Sequence, residues 1–117
     1  MRATVLIVDD HQTFRVNARA LLEADGFHVI GEAPDGDAAV AAERALRPDV
    51  VLLDVRLPDT DGFSIAQRMA AQPDGPAIVI TSSSDDPLYP GRALRSGARG
   101  FVAKHDLWGP ALSALLD

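Results

Sequence analysis

A doubly wound α/β domain is what this sequence predicts: five parallel strands, each followed by a helix, with helices on both faces of the sheet. Three observations predict it. Five short apolar segments, largely β-branched, recur along the 117 residues. Stretches with helical spacing of apolar residues separate them. Once the βα pairs are assigned, no linker, repeat or low-complexity tract is left over. Alternation of this kind builds a parallel sheet. Right-handed crossovers then place every strand's C-terminal end on one edge, where open sheets of this class bind their ligands. Residues 1–117 are expected to form one domain.

The first strand is Thr4–Val8, "TVLIV". Its helix presents Phe14, Ala18, Leu21 and Leu22 at i, i+4, i+7 and i+8, and Gly26 stands where a left-handed C-terminal cap belongs. The second strand is His28–Ala33, "HVIGEA"; the alanine-rich helix after it runs from about Asp37 to Arg47 and is stopped by Pro48. The third strand is Asp49–Leu53, "DVVLL". The turn "LPDTDG" follows, with Pro58 and Gly62 as punctuation, and leads into a helix from about Gly62 to Gln72. That helix shows Ile65, Ala66 and Met69 on one face and stops before Pro73. The fourth strand is Ala77–Thr81, "AIVIT". Its helix, within Asp86–Ser96, is weakened by Pro87, Pro90 and Gly91. The fifth strand is Gly100–Ala103. The last helix, from about Leu107 to Leu116, carries Leu112, Leu115 and Leu116 and admits Pro110 only in its first turn.

Composition narrows the function. Eleven basic residues against 17 acidic ones leave a formal net charge of -6, so direct nucleic-acid binding through net charge is not expected. The absence of cysteine excludes disulfides, thiolate chemistry and Cys-ligated metal. No segment approaches the roughly 20 apolar residues of a membrane span. The apolar run near the N-terminus is too short for a signal peptide. A cytoplasmic protein with no membrane partner is expected.

Chemistry gathers at the strand ends. Asp9 and Asp10 follow the first strand. Asp54 closes the third, Thr81 the fourth, with Ser82, Ser83 and Ser84 behind it, and Lys104 lies just past the fifth. The second strand, closing on Glu32, Ala33 and Pro34, offers no evident chemistry. Each residue alone has an ordinary explanation: Asp10 caps the first helix, Thr81 is a β-branched strand residue, Lys104 is a solvated loop lysine. Together, three carboxylates on one edge repel one another unless a cation neutralises them. Hard carboxylate oxygens with no His or Cys nearby suit Mg²⁺. A metal, a reactive aspartate, a lysine and a hydroxyl are the equipment for phosphoryl transfer to aspartate, giving an acyl phosphate.

The stretches "LIVDDH", "VVLLDVRLPDTDG", "AIVITSS" and "GARGFVAKHDL", in this order and spacing, resemble the receiver domain of two-component response regulators. The resemblance covers about Thr4 to Leu116. The "DDH" opening and the Lys104-His105 junction are most similar to the subfamily often fused to helix-turn-helix domains. The resemblance implies a flavodoxin-like sheet of strand order 2-1-3-4-5. It implies that Asp54 is the phosphoacceptor and that Asp10 and Asp54 ligate Mg²⁺ directly. Asp9 would act through water, and the backbone carbonyl of Arg56 would be a further ligand. Thr81 would bind a phosphoryl oxygen, Lys104 would pair with the phosphate, and Thr81 and Phe101 would form the switch. The implied activity is phosphorelay signalling by a protein that catalyses only its own phosphotransfer and dephosphorylation, and is otherwise no enzyme. The implied partners are a sensor histidine kinase, a second copy of the chain, and a DNA-binding output domain not present in these residues.

The chain departs from the family pattern where His105 replaces the usual proline after the lysine, and in the Pro and Gly content of the fourth helix. Arg56 is a long cation two residues after the phosphoacceptor. Trp108 reads equally as partner surface or as core. Three alternatives fit less well. A haloacid dehalogenase-type phosphatase carries D-x-D after its first strand, whereas here the candidate nucleophile follows the third and "DVR" lacks the second acid. A flavodoxin-like cofactor binder needs a phosphate loop after the first strand, and one Trp and one Tyr are few to flank a flavin. A non-phosphorylated interaction module on the same fold leaves the five site residues unexplained.

Overall fold

The computed structural model describes residues 2–107 and 109–116. Its strands are β1 (Thr4–Val8), β2 (His28–Ala33), β3 (Val50–Asp54), β4 (Ala77–Ser82) and β5 (Gly100–Ala103). The helices that follow them in turn are α1 (Gln12–Ala24), α2 (Gly36–Leu46), α3 (Gly62–Ala70), α4 (Tyr89–Arg95) and α5 (Gly109–Leu116). All neighbouring strands pair in parallel, in the order β2-β1-β3-β4-β5. The doubly wound, flavodoxin-like arrangement expected from the sequence is the one found.

Because successive strand residues point to opposite faces, β1 and β3 feed two cores. Leu6, Val8, Val51 and Leu53 face α2, α3 and α4 together with Ile78, Ile80, Ala66 and Met69. Val5, Ile7, Val50 and Leu52 face α1 and α5 together with Ala18, Leu22 and Leu112. Covered on both sides, these strands need no polar alternation. Leu21 does not join the core: it is 45% exposed, because the buried stripe of α1 narrows to Ala18 and Leu22.

Local chemistry sets the element ends. Gly26 adopts φ +92, and its N–H donates to the Glu23 carbonyl while that of Phe27 donates to Leu22, a Schellman closure. Asp35 caps α2 through the Ala38 N–H at 2.7 Å, and Asp61 caps α3 through the Ser64 N–H at 2.9 Å. Several boundaries differ from expectation. Strand β3 starts at Val50 because the Asp49 carboxylate is taken by the Thr4 N–H and hydroxyl. It runs one residue further, to Asp54, and β4 likewise reaches Ser82. Helix α2 ends at Leu46 because Arg47 turns left-handed before Pro48. Helix α3 ends at Ala70. Pro90 sits in the first turn of α4, where no N–H is missed. A 3₁₀ turn over Lys104–Asp106 carries the chain past His105 toward α5.

Candidate functional site

Sheet register builds the site. Val8 pairs with Leu53, so Asp9 emerges next to Asp54; Asp54 itself pairs with Thr81. The β1, β3 and β4 ends thus deliver two carboxylates and a hydroxyl to adjacent positions on one edge. Lys104, following β5, reaches back across them.

Asp9 is fully buried. Its Oδ1 accepts the His11 N–H at 2.8 Å. Its Oδ2 has no donor among the described residues other than the Lys104 ammonium, at 2.6 Å. The same Nζ stands 3.6 Å from Asp54 Oδ2 and 4.4 Å from the centre of the Phe14 ring. Asp54 is 4% exposed. Burial first, and the Asp9 charge second, push its carboxyl up from 3.8 to about 6, against the opposing pull of Lys104 and of the Arg56 N–H. Thr81 is fully buried, and its hydroxyl has no hydrogen-bond partner among the described residues. Beside these groups opens a cleft of about 450 Å³, lined by Asp10, His11, Asp54, Arg56, Ser82, Ser83, Ser84 and Lys104 among others.

The structure brings Asp9, Asp10, Asp54, Thr81 and Lys104 together, and Arg56 contributes its N–H to Asp54. Asp10 does not cap α1, contrary to the single-residue expectation. His11 holds the N-cap position without a side-chain cap bond, and the Asp10 carboxylate is turned toward its ring instead. The expectation that no His stands near the carboxylates is also corrected. His11 Nδ1 lies 3.2 Å from Asp9 Oδ1 and 3.0 Å from Asp10 Oδ1. His11 opens the helix instead of closing the strand, so the pattern of strand ends does not reveal it; the "DDH" triplet is its signal in the sequence. Phe101, the expected switch, is half-buried on β5. It packs edge-on against Tyr89 at 5.9 Å, which packs edge-on against Phe63 at 5.6 Å. Trp108 lies outside the described residues.

Three residues support the site through contacts that the sequence does not indicate. Glu32, at the end of β2, binds Arg15 and Arg19, and Arg15 Nη1 in turn donates to the Asp9 carbonyl at 2.5 Å. Asp59 accepts the Gly36 and Asp37 N–H groups at 2.8 and 3.0 Å, tying the β3–α3 loop to α2. Gly62 packs on β3 so tightly that an added Cβ would stand 2.1 Å from the Asp54 carbonyl oxygen. Only glycine fits there.

An α/β sheet with this strand order, and carboxylates at the ends of β1 and β3, agrees with the comparison to known families. The response regulator receiver domain model matches residues 5–107. The chain belongs to the response regulator receiver domain family. This receiver domain is 38% identical over 102 residues to the response regulator GacA of Pseudomonas syringae pv. syringae, covering 86% of this chain and 47% of that one. It is 43% identical over 101 residues to a protein-glutamate methylesterase/protein-glutamine glutaminase of Anaeromyxobacter dehalogenans, covering 86% and 29%. In structure it is similar to a LuxR-family two-component response regulator from Aurantimonas, with a TM-score of 0.89 and 28% identity over 99% of this chain and 86% of that one. The chain spans about half the length of the first curated relatives it matches. No helix of the described residues is long and apolar enough to cross a membrane.

The receiver site fits a hard divalent cation. Ligand atoms of Asp9, Asp10, His11 and Asp54 all lie within 4.8 Å of one another. Three of the four donors are carboxylates; among the described residues the buried Asp9 Oδ2 meets only the Lys104 ammonium, and the buried Thr81 hydroxyl has no hydrogen-bond partner. A cation and an added anion are what such a constellation can accommodate.

Proposed function

We propose that this receiver domain accepts a phosphoryl group on Asp54, from a sensor histidine kinase or a small phosphodonor, and passes the change to a partner-binding face. The observation that carries the proposal is the juxtaposition at the cleft floor. A buried carboxylate, raised to about 6, stands 3.6 Å from an ammonium and pairs in register with a threonine whose buried hydroxyl is unused.

In this reading an Asp54 carboxylate oxygen attacks phosphorus. The phosphorus–nitrogen bond to the donor histidine breaks, and its electron pair goes to the imidazole, which is protonated. Lys104 shifts its ammonium from Asp9 toward a phosphoryl oxygen. The Thr81 hydroxyl donates to another, which ends its isolation. Asp10, Asp54 and the Arg56 carbonyl would hold Mg²⁺, with Asp9 acting through water, and the ion would supply positive charge against the carboxylates and the phosphoryl group. Movement of Thr81 gives Phe101 room to turn inward against Tyr89, which couples the site to α4 and β5. A DNA-binding output domain and a second copy of the chain are the partners this reading assigns to that face. Residues 1–117 act as one receiver domain.

Incubation with acetyl phosphate and Mg²⁺ tests the proposal by intact mass. One acid-stable, base-labile phosphoryl group is expected on the wild type and none on Asp54→Asn. Equal labelling of the two proteins would sink the assignment.

A further inference from the structure

We infer that His11 makes the acidic cluster a mixed nitrogen–oxygen site, which takes borderline transition ions such as Ni²⁺ through its imidazole as well as hard Mg²⁺ through carboxylates alone. The inference rests on the reading that Asp9, Asp10 and Asp54 hold a divalent ion, and it adds the class of ion.

Four side chains, one of them an imidazole, offer ligand atoms that all lie within 4.8 Å of one another. That span is about twice a metal–ligand bond of roughly 2.0–2.4 Å. His11 Nδ1 stands at 3.0 Å from Asp10 Oδ1 and 3.2 Å from Asp9 Oδ1, so the nitrogen already sits among the oxygens that would share an ion with it. A second observation points to a cation at the same place. Asp9 Oδ2 is buried and has only the Lys104 ammonium against it among the described residues. The His11 side chain is 70% exposed at the cleft, so it can adjust to an ion without moving the core. The neutral tautomer with its proton on Nε2 presents the Nδ1 lone pair. Imidazole nitrogen suits Ni²⁺ and Zn²⁺, whereas Mg²⁺ prefers carboxylate, carbonyl and water. His11 therefore adds affinity for one class of ion and little for the other.

Isothermal titration of the untagged chain with MgCl₂ and with NiCl₂ tests this on wild type, His11→Ala, Asp54→Asn and His105→Ala. Circular dichroism checks the fold of each, and His11→Gln replaces the alanine variant if the turn into α1 is disturbed. His11→Ala should weaken Ni²⁺ by about tenfold or more and leave Mg²⁺ within about threefold. Asp54→Asn should weaken both ions. His105, which lies near Asp85 and Asp106 instead, should matter to neither. A His11 variant that weakens both ions equally, or neither, overturns the inference and leaves the carboxylate site standing. Wild type that binds neither ion overturns the underlying reading as well.

Discussion

Asp54 is ionised at neutral pH against the preference of its surroundings. Its carboxyl lies at about 6 in the folded chain and at 3.8 where nothing perturbs it. Between those values the folded state holds the proton more tightly than the unfolded state does. The stabilising contribution is therefore full below 3.8 and is lost as pH rises through 6. Allowing for solvent at the mouth of the cleft, the loss is on the order of 1–2 kcal/mol. Asn keeps the shape and removes the charge. In EDTA, Asp54→Asn should be more stable than wild type by about that amount near pH 7.5, and the difference should fade toward about pH 4. Urea unfolding of the two proteins at both pH values measures it. A difference independent of pH would mean that the site does not strain the charge. The same residue shows why position within the sheet matters. Asp54 is the last strand residue and not the first loop residue, so the ladder to Thr81 and the close approach of Gly62 fix its backbone.

Among the elements, α2 is held by a loop more than twenty residues away. Asp59 closes two N–H groups of its first turn, and Asp35 closes a third. The Gly36 N–H above all holds the Asp59 carboxyl below its ordinary 3.8; burial opposes it, and the Asp37 N–H adds a smaller pull in the same direction as Gly36. A depressed acid contributes stability that is present above the unfolded value and lost as pH falls through the folded one. Asp59→Ala should therefore lower the melting temperature near pH 7, and the deficit should shrink as pH is lowered below 3.8. Thermal melts across that range decide it; a deficit that stays constant would assign the effect to loop packing alone. The loop concerned joins β3 to α3, so the cap also limits how far Arg56 and Pro58, on the rim of the cleft, can wander.

At the scale of the whole molecule, three carboxylates gathered on one edge repel one another and oppose folding. Lys104 is one cation among three carboxylates, and it contacts Asp9 and Asp54. An ion that binds only the folded state stabilises by mass action, about 1.4 kcal/mol at tenfold excess over its dissociation constant. Mg²⁺ should thus raise the urea midpoint of the wild type. Asp10→Asn should match or exceed wild type in EDTA and lose most of the gain in Mg²⁺. Wild type that ignores Mg²⁺, with the variant less stable in EDTA, would show that the three acids do not act as one site.

By itself the sequence determined the five βα units, the parallel sheet and the edge on which Asp9, Asp10, Asp54, Thr81 and Lys104 gather. It did so because burial on both faces writes continuous branched runs, which polar residues can interrupt only at the strand ends. Tertiary structure decided the rest. Whether Asp10 caps a helix or faces a ring depends on the turn at His11. Asp59 reaches α2, and Glu32 anchors Arg15 against the Asp9 carbonyl, across chain separations that no local pattern encodes. Gly62 is required by a backbone contact visible only after β3 and α3 are packed. These features come from distances between groups remote in the chain, and such distances exist only once the core has set them.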